Sequence, residues 1–311
     1  MGFISLKDVS KSFGAIKAVD NVTLEMEKGE VFGLLGPNGA GKSTLILMMI
    51  ALLSSDSGEI EINGLNIKKH AGNVKKLIGY VPQEIALYTS LTARENLVFW
   101  GRMYGLKGRN LARKVDETLE ISGLTGRAKS RLETYSGGMK RRINIAAAIM
   151  HHPEILIMDE PTVGIDPQSR NHILETVLKL NKKGVTVVYT SHYMEEVEFL
   201  CSRVAIMDCG KIIAIGNKDE LRRMISNKDT INIGVQNTNE KIRDELNTLP
   251  GVESVWVEEN NIRIIASDAD TVLARVISVI DSGKSRIRFI NIEEPNLESV
   301  FLHLTGKALR D

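Results

Sequence analysis

A glycine-rich stretch, GPNGAGKST at residues 36–44, constrains this chain more than any other segment. It follows a short continuous apolar run, VFGLL at 31–35, and leads into an apolar helical pattern, LILMMIALL at 45–53. A continuous apolar run suits a strand buried on both faces of a parallel sheet. The segment therefore predicts strand, glycine loop, helix. Gly36, Gly41, Lys42 and Ser43 stand in register with G-x-x-x-x-G-K-[ST]. Glycines let successive backbone N–H groups turn inward as an anion nest, and the helix N-terminus adds partial positive charge. Pro37, Asn38, Gly39, Ala40 and Thr44 complete the cradle, Lys42 reaches the terminal phosphates, and the Ser43 hydroxyl can hold Mg²⁺. A chance glycine turn is the competing reading, and the flanking strand and helix weigh against it.

Two further strand ends fit the same sheet. Residues 155–160 read ILIMDE, an apolar strand ending in two carboxylates. Such an end places acids at the carboxyl edge of a parallel sheet, where open α/β sheets bind ligands. Asp159 is positioned to orient Mg²⁺, and Glu160 to polarise an attacking water. Residues 185–191, VTVVYTS, form the next such strand and deliver His192 to the same edge, within reach of a γ-phosphate or the water. A second phosphate geometry lies at 134–142, TYSGGMKRR, where Ser136, Gly137 and Gly138 open a helical pattern. It has no lysine-bearing loop of its own. Two such helix ends suggest a nucleotide held from both sides, by two chains.

Composition excludes several classes. The 311 residues carry 40 basic and 39 acidic side chains, a net charge of +1, which argues against a protein that binds nucleic acid through bulk charge. With 43% hydrophobic residues the chain can build a core, so disorder is not expected. Two cysteines, Cys201 and Cys209, form no CxxC and cannot make a disulfide framework. The charged N-terminus does not resemble an export signal, and Leu6 stands where myristoylation needs Ser or Thr. A membrane helix needs roughly 20 apolar residues, and no run of that length occurs.

Taken together, these motifs resemble the nucleotide-binding subunit of ATP-binding cassette (ABC) transporters. GPNGAGKST is similar to Walker A, and ILIMDEP at 155–161 to Walker B. Gln83 in GYVPQE resembles the Q-loop glutamine, Tyr135-Ser136-Gly137-Gly138-Met139 the signature motif, Val163-Gly164-Ile165-Asp166 the D-loop, and His192 the H-loop. Phe13 matches the aromatic that stacks on adenine. The signature departs from the family pattern at Tyr135 and Met139, and the D-loop at Gly164 and Ile165, while the serine and both signature glycines are kept. SGGMKRR, DEPTVGIDP and EEPNLESVFLHLTG are similar to the drug-resistance and antibiotic-export branch, daunorubicin-resistance ATPases among them.

The resemblance implies an α/β P-loop cassette over residues 1–222, with a RecA-like core, an antiparallel β subdomain and a helical subdomain at about 84–140. It implies ATP and Mg²⁺ as ligands, with Ser43, Gln83 and Asp159 on the metal. It implies Glu160, His192, Lys42 and Gln83 in catalysis, and Ser136, Gly137 and Gly138 acting on a partner cassette, as homodimer or heterodimer. The permease would be a separate membrane chain, and this chain would sit peripherally on the cytoplasmic face of the cell membrane. Of the cluster Tyr88, Phe99, Trp100, Met103 and Tyr104, most are expected in the subdomain's own core, with Tyr88 best placed to meet the permease. The alternative from the same motifs is a non-transport ABC ATPase acting on a soluble complex. Those usually carry paired cassettes, long coiled coils or basic insertions, none of which this sequence has. A third possibility, a module that holds ATP without hydrolysis, is opposed by the presence of Glu160 and His192.

After a polar linker at 223–229, the pattern reads strand 230–235, helix 238–248, strand 254–258, strand 262–266, helix 269–281, strand 286–292 and helix 296–305. The order βαββαβ predicts a small ferredoxin-like α+β unit over 230–311. Leu297, Val300, Phe301 and Leu304 give the last helix an apolar stripe. Residues 203–215 predict a hairpin turning at Asp208-Cys209-Gly210, with Cys201 a structural residue at a helix end.

Overall fold

The computed structural model describes residues 2–224, 229–236, 240–258, 260–283 and 285–293, together with Leu297, Val300, Phe301 and Leu304. The chain divides into two compact units that meet in sequence at Asn217 and Lys218.

The first unit begins with β1 (Ile4–Phe13), β2 (Ile16–Met26), β3 (Val31–Leu35), α1 (Lys42–Met49), β4 (Ser57–Ile62), β5 (Leu65–Asn66), α2 (Ile67–Leu77) and β6 (Ile78–Val81). It continues through α3 (Ala93–Met103), α4 (Gly108–Ile121), α5 (Gly137–Ala148), β7 (Ile155–Met158), α6 (Pro167–Lys182), β8 (Thr186–Thr190), α7 (Met194–Leu200), β9 (Arg203–Asp208) and β10 (Lys211–Asn217). The expected strand-loop-helix is β3, the glycine loop and α1. All of β3 is buried, as an apolar strand with neighbours on both faces must be.

Six strands form the central sheet in the order β10-β9-β3-β8-β7-β6, parallel from β9 to β6. The strands that carry the glycine loop, the acids and His192 (β3, β7 and β8) are therefore neighbours. Their carboxyl ends share one edge. A second, antiparallel sheet runs β2-β1-β4-β5. Its inner face, with Ile4, Leu6, Leu24, Met26, Ile60 and Ile62, packs in one core with Leu45, Ile46 and Met49 of α1 and with β3.

The helical subdomain has its own core. Leu97 of α3, Val115 and Leu119 of α4, and Ile143 and Met150 on and just beyond α5 are fully buried together. Thr92 and Glu95 form a capping box at the start of α3. The β9–β10 hairpin turns at Cys209, whose φ of 46° and exposure mark it as a turn residue, while Cys201 is buried at the end of α7.

The second unit comprises α8 (Lys218–Arg223), β11 (Asp229–Val235), α9 (Glu240–Asn247), β12 (Val252–Glu258), β13 (Asn261–Ala266), α10 (Ala269–Ser282) and β14 (Ile287–Glu293). Its sheet has the order β12-β13-β11-β14 with every pair antiparallel, the ferredoxin-like arrangement. Ile231, Ile233, Ile262 and Ile264 face Val272, Val276 and Ile280 of α10. The opposite face exposes Trp256 and Phe289 beside Arg263, around a cavity of about 690 Å³ that no sequence pattern announced. Most of the expected linker and most of the expected final helix lie outside the described residues. Leu297, Val300 and Phe301 of its stripe are buried. Among the described residues, no helix is long and apolar enough to cross a membrane.

Candidate active site at the carboxyl edge of the central sheet

The glycine loop closes tightly against the body of its unit. Gly41 caps α1 with a φ of +102°, and a Cβ there would lie 2.1 Å from the carbonyl oxygen of Ala18. Both the backbone region and the contact demand glycine. Gly41→Ala is expected to destabilise the unit by about 2–4 kcal/mol, measured by urea denaturation, because strain and overpacking add at one position. Lys42 is 5% exposed, and its Nζ donates to the carbonyls of Gly36 (2.8 Å) and Pro37 (3.1 Å). Burial lowers the Lys42 pKa, and the nearby Glu160 carboxylate opposes that shift. Ser43 beside it is exposed on the first turn of α1.

Asp159 and Glu160 follow β7 and are 4% and 7% exposed. The Asp159 N–H donates to Val81, and its carboxylate accepts from Thr190 Oγ1 at 2.8 Å. The Glu160 N–H donates to the same Thr190 hydroxyl at 2.8 Å, so one threonine at the end of β8 holds both acids. Glu160 sits at a φ of 45°, a left-handed conformation unusual for a non-glycine residue and typical of strained functional positions. Around its carboxylate stand Lys42 Nζ at 3.6 Å, His192 Nδ1 at 3.4 Å and Gln83 Nε2 at 3.5 Å. These four residues come from α1, the end of β6, the end of β7 and the end of β8. The sheet order brings them together.

The signature turn is a conventional helix start. Ser136 caps α5 by accepting from the Met139 N–H at 3.3 Å. Gly138 has a packing reason of its own. A Cβ there would lie 2.2 Å from Ser169 Oγ, because the first turn of α6 presses against it. Asp166 caps α6 and accepts from the Ser169 N–H at 2.9 Å, which holds its carboxyl below the ordinary carboxylate range. The stability this cap contributes is full above the unfolded value of 3.8 and drains as pH falls through the lower folded value. Urea stability of the native chain should therefore fall more steeply below about pH 4 than that of Asp166→Asn.

Buried charges near the site also escaped the sequence reading, Arg141 and Glu196 among them. Arg141 of α5 is 3% exposed and donates to the carbonyl of Pro82 at 2.5 Å and to that of Gln83, tying the signature helix to the residue before and at Gln83. Glu196 of α7 is 3% exposed behind His192. The signal for Glu196 is its place on a stripe with Val197 and Leu200, where an apolar residue would be expected.

Phe13 is 51% exposed at the end of β1, with Lys11 Nζ 5.6 Å from its ring centre. The aromatic cluster of the helical subdomain divides. Trp100 packs against the subdomain core, and Tyr104 stacks on His151 with ring centres 3.9 Å apart. Tyr88 and Met103 are 50% and 67% exposed, and Tyr88 meets Phe99 edge-on. More of the cluster faces solvent than the core expectation allowed, because α3 buries only its Ala93, Asn96, Leu97 and Gly101 side.

Comparison with known proteins identifies the family. Residues 19–163 match the family model described as "ABC transporter". Over 310 residues the chain is 50% identical to the linearmycin resistance ATP-binding protein LnrL of Bacillus subtilis (strain 168), covering 99% of this chain and 100% of that one. It is 36% identical to the Nod factor export ATP-binding protein I of Cupriavidus metallidurans, with 99% of each chain covered. Among solved structures, a dimeric ATP-binding cassette in a post-hydrolysis state bound to ADP and Pi matches 69% of this chain and 98% of its own, at 28% identity and a TM-score of 0.63. The chain belongs to the ABC transporter family.

Proposed function

We propose that this chain is the ATP-hydrolysing subunit of an exporter, seated on the cytoplasmic face of the membrane against a permease on a separate chain. The observation that carries the reading is the convergence of Lys42, Gln83 and His192 on the Glu160 carboxylate, each within 3.6 Å. In this reading residues 36–44 hold the phosphates of ATP, with Phe13 against the adenine. Glu160 accepts a proton from the attacking water and His192 orients that water or the γ-phosphate. Lys42, held by loop carbonyls and freed toward a phosphate, offsets developing charge. Ser136, Gly137 and Gly138 of a second cassette close over the phosphate from the other side, with Asp166 beside them.

The donors near the phosphates suit Mg²⁺. Asp159, Ser43 and Gln83 offer a carboxylate, a hydroxyl and a side-chain carbonyl, all hard oxygens. Among the described residues no cluster of three or more His, Cys, Asp or Glu could hold a metal alone. An ion that completes its shell with water and phosphate oxygens fits that sparse set. Bound there, Mg²⁺ would supply charge neutralisation on the phosphates.

Dimer closure follows if ATP prefers the closed state. A shift from 1:99 to 99:1 needs about 5.5 kcal/mol of such preference, and two nucleotides would share it. The 230–311 unit we read as an accessory domain appended to the 1–222 cassette. Full-length likeness to resistance and export ATP-binding proteins favours export over a soluble, non-transport role. Gentle solubilisation of membranes and capture of the tagged chain tests this. A polytopic membrane protein in stoichiometric amount, whose presence raises ATP turnover, is the expected result. Recovery of the chain alone from both soluble and membrane fractions would overturn it.

A further inference from the structure

Glu196 is a carboxylate that neither the phosphate loop nor the hydrolytic residues use, yet it is nearly sealed from solvent. Its Oε2 accepts three hydroxyls, from Thr162 at 2.7 Å, Tyr189 at 2.8 Å and Ser191 at 3.0 Å. Its Oε1 stands 3.3 Å from Arg170 Nε. Burial pushes the Tyr189 hydroxyl well above its ordinary pKa, so it stays a donor. Three hydroxyls on Oε2 and an ion pair on Oε1, which makes no hydrogen bond among the described residues, are what offset the burial of this carboxylate.

The partners come from three segments, and their places in the chain matter. Thr162 lies in the turn just after Glu160. Tyr189 and Ser191 lead directly to His192. Arg170 belongs to the first turns of α6, beyond the Asp166 cap, and its guanidinium carbon also stands 4.6 Å over the ring of Tyr193. The Tyr193 N–H donates to Ser191 Oγ at 2.9 Å. Both neighbours of His192 are therefore tethered to the Glu196–Arg170 pair. Among the described residues the His192 Nδ1 has no hydrogen-bond partner, and it stands 3.4 Å from Glu160.

We infer that Glu196, together with Arg170, is a positioning residue that fixes His192 relative to Glu160. Arg170 sits on the same first turns of α6 whose Ser169 packs against Gly138 of the signature turn. Displacement of that helix start thus reaches His192 through one ion pair and one ring contact. The inference rests on the hydrolytic roles proposed above for His192 and Glu160.

A double-mutant cycle tests it, with kcat per folded site and the affinity for a fluorescent ATP analogue read for each protein. The proteins are the native chain, Glu196→Gln, His192→Ala and the double variant. Glu196→Gln is expected to lower kcat about 10-fold or more while changing nucleotide affinity by less than about 3-fold. In the His192→Ala background the same change should cost less than about 3-fold in kcat, because the residue it positions is gone. Equal losses in both backgrounds, or none in the native background, would overturn the inference. If His192→Ala alone leaves kcat intact, the hydrolytic reading of His192 falls, and the pair has nothing to position. Should Glu196→Gln fail to fold, Arg170→Gln keeps all three hydroxyl contacts and should show the same dependence on background.

Discussion

Replacing Glu160 by glutamine is expected to lower Mg-ATP turnover about 100- to 10,000-fold, the usual contribution of a general base. Glutamine has nearly the volume of glutamate, so the buried site should keep its shape. The Glu160 N–H bond to Thr190 and the left-handed backbone do not depend on the carboxylate. What is lost is the carboxylate that Lys42, Gln83 and His192 surround, the group proposed to take a proton from water. Lys42 also loses the charge that opposes its desolvation, which lowers its pKa further. Because ATP would still bind but not be cleaved, Glu160→Gln should run as a dimer in size exclusion with ATP. A variant that turns over ATP at the native rate would remove Glu160 from the reaction.

The second large effect concerns binding. Lys42→Ala should weaken the affinity for a fluorescent ATP analogue about 100-fold, equivalent to about 3 kcal/mol for a lost charge-assisted contact in a dry site. The lysine is buried, with two loop carbonyls and a carboxylate 3.6 Å away as its partners. Such an arrangement can release the ammonium toward a phosphate without unfolding the loop. Its removal also leaves the Glu160 carboxylate without its nearest lysine, an unfavourable state for a group 7% exposed. Lys42→Ala should therefore remain monomeric with ATP, in contrast to Glu160→Gln. Unchanged nucleotide affinity would mean that the loop binds phosphate through its backbone alone.

Much of this site was legible because its parts are local. A glycine loop between a buried strand and a helix, acids at one strand end and a histidine at another can each be read within about ten residues, and strand order joins them. The ferredoxin-like unit was legible for the same reason, since its alternating strands and striped helices carry their own periods. The antiparallel strand β4 and the helices α2 and α6 were not anticipated in detail, as their patterns are short or mixed. Glu196 and Arg141 were missed for a different reason. Key partners of each lie far away in sequence, Thr162 and Arg170 for Glu196 and Pro82 for Arg141, and the local stripe of Glu196 with Val197 and Leu200 does not reveal them. In MEEVEFL, three glutamates look like the solvated side of a helix, and only the fold turns Glu196 inward. Gly138 shows the converse. Sequence assigned it to phosphate recognition, and packing against Ser169 gives it a second, structural requirement.

In the proposed mechanism ATP is hydrolysed in a site built from the glycine loop of one chain and the signature turn of another. Mixing two inactive variants tests it most directly. Lys42→Ala keeps an intact signature turn, and Ser136→Arg keeps an intact loop. A mixed dimer contains one complete composite site, so equimolar mixing should restore a substantial fraction of native ATP turnover. A mixture as inactive as either variant alone, under conditions where mixed dimers form, would contradict the composite site.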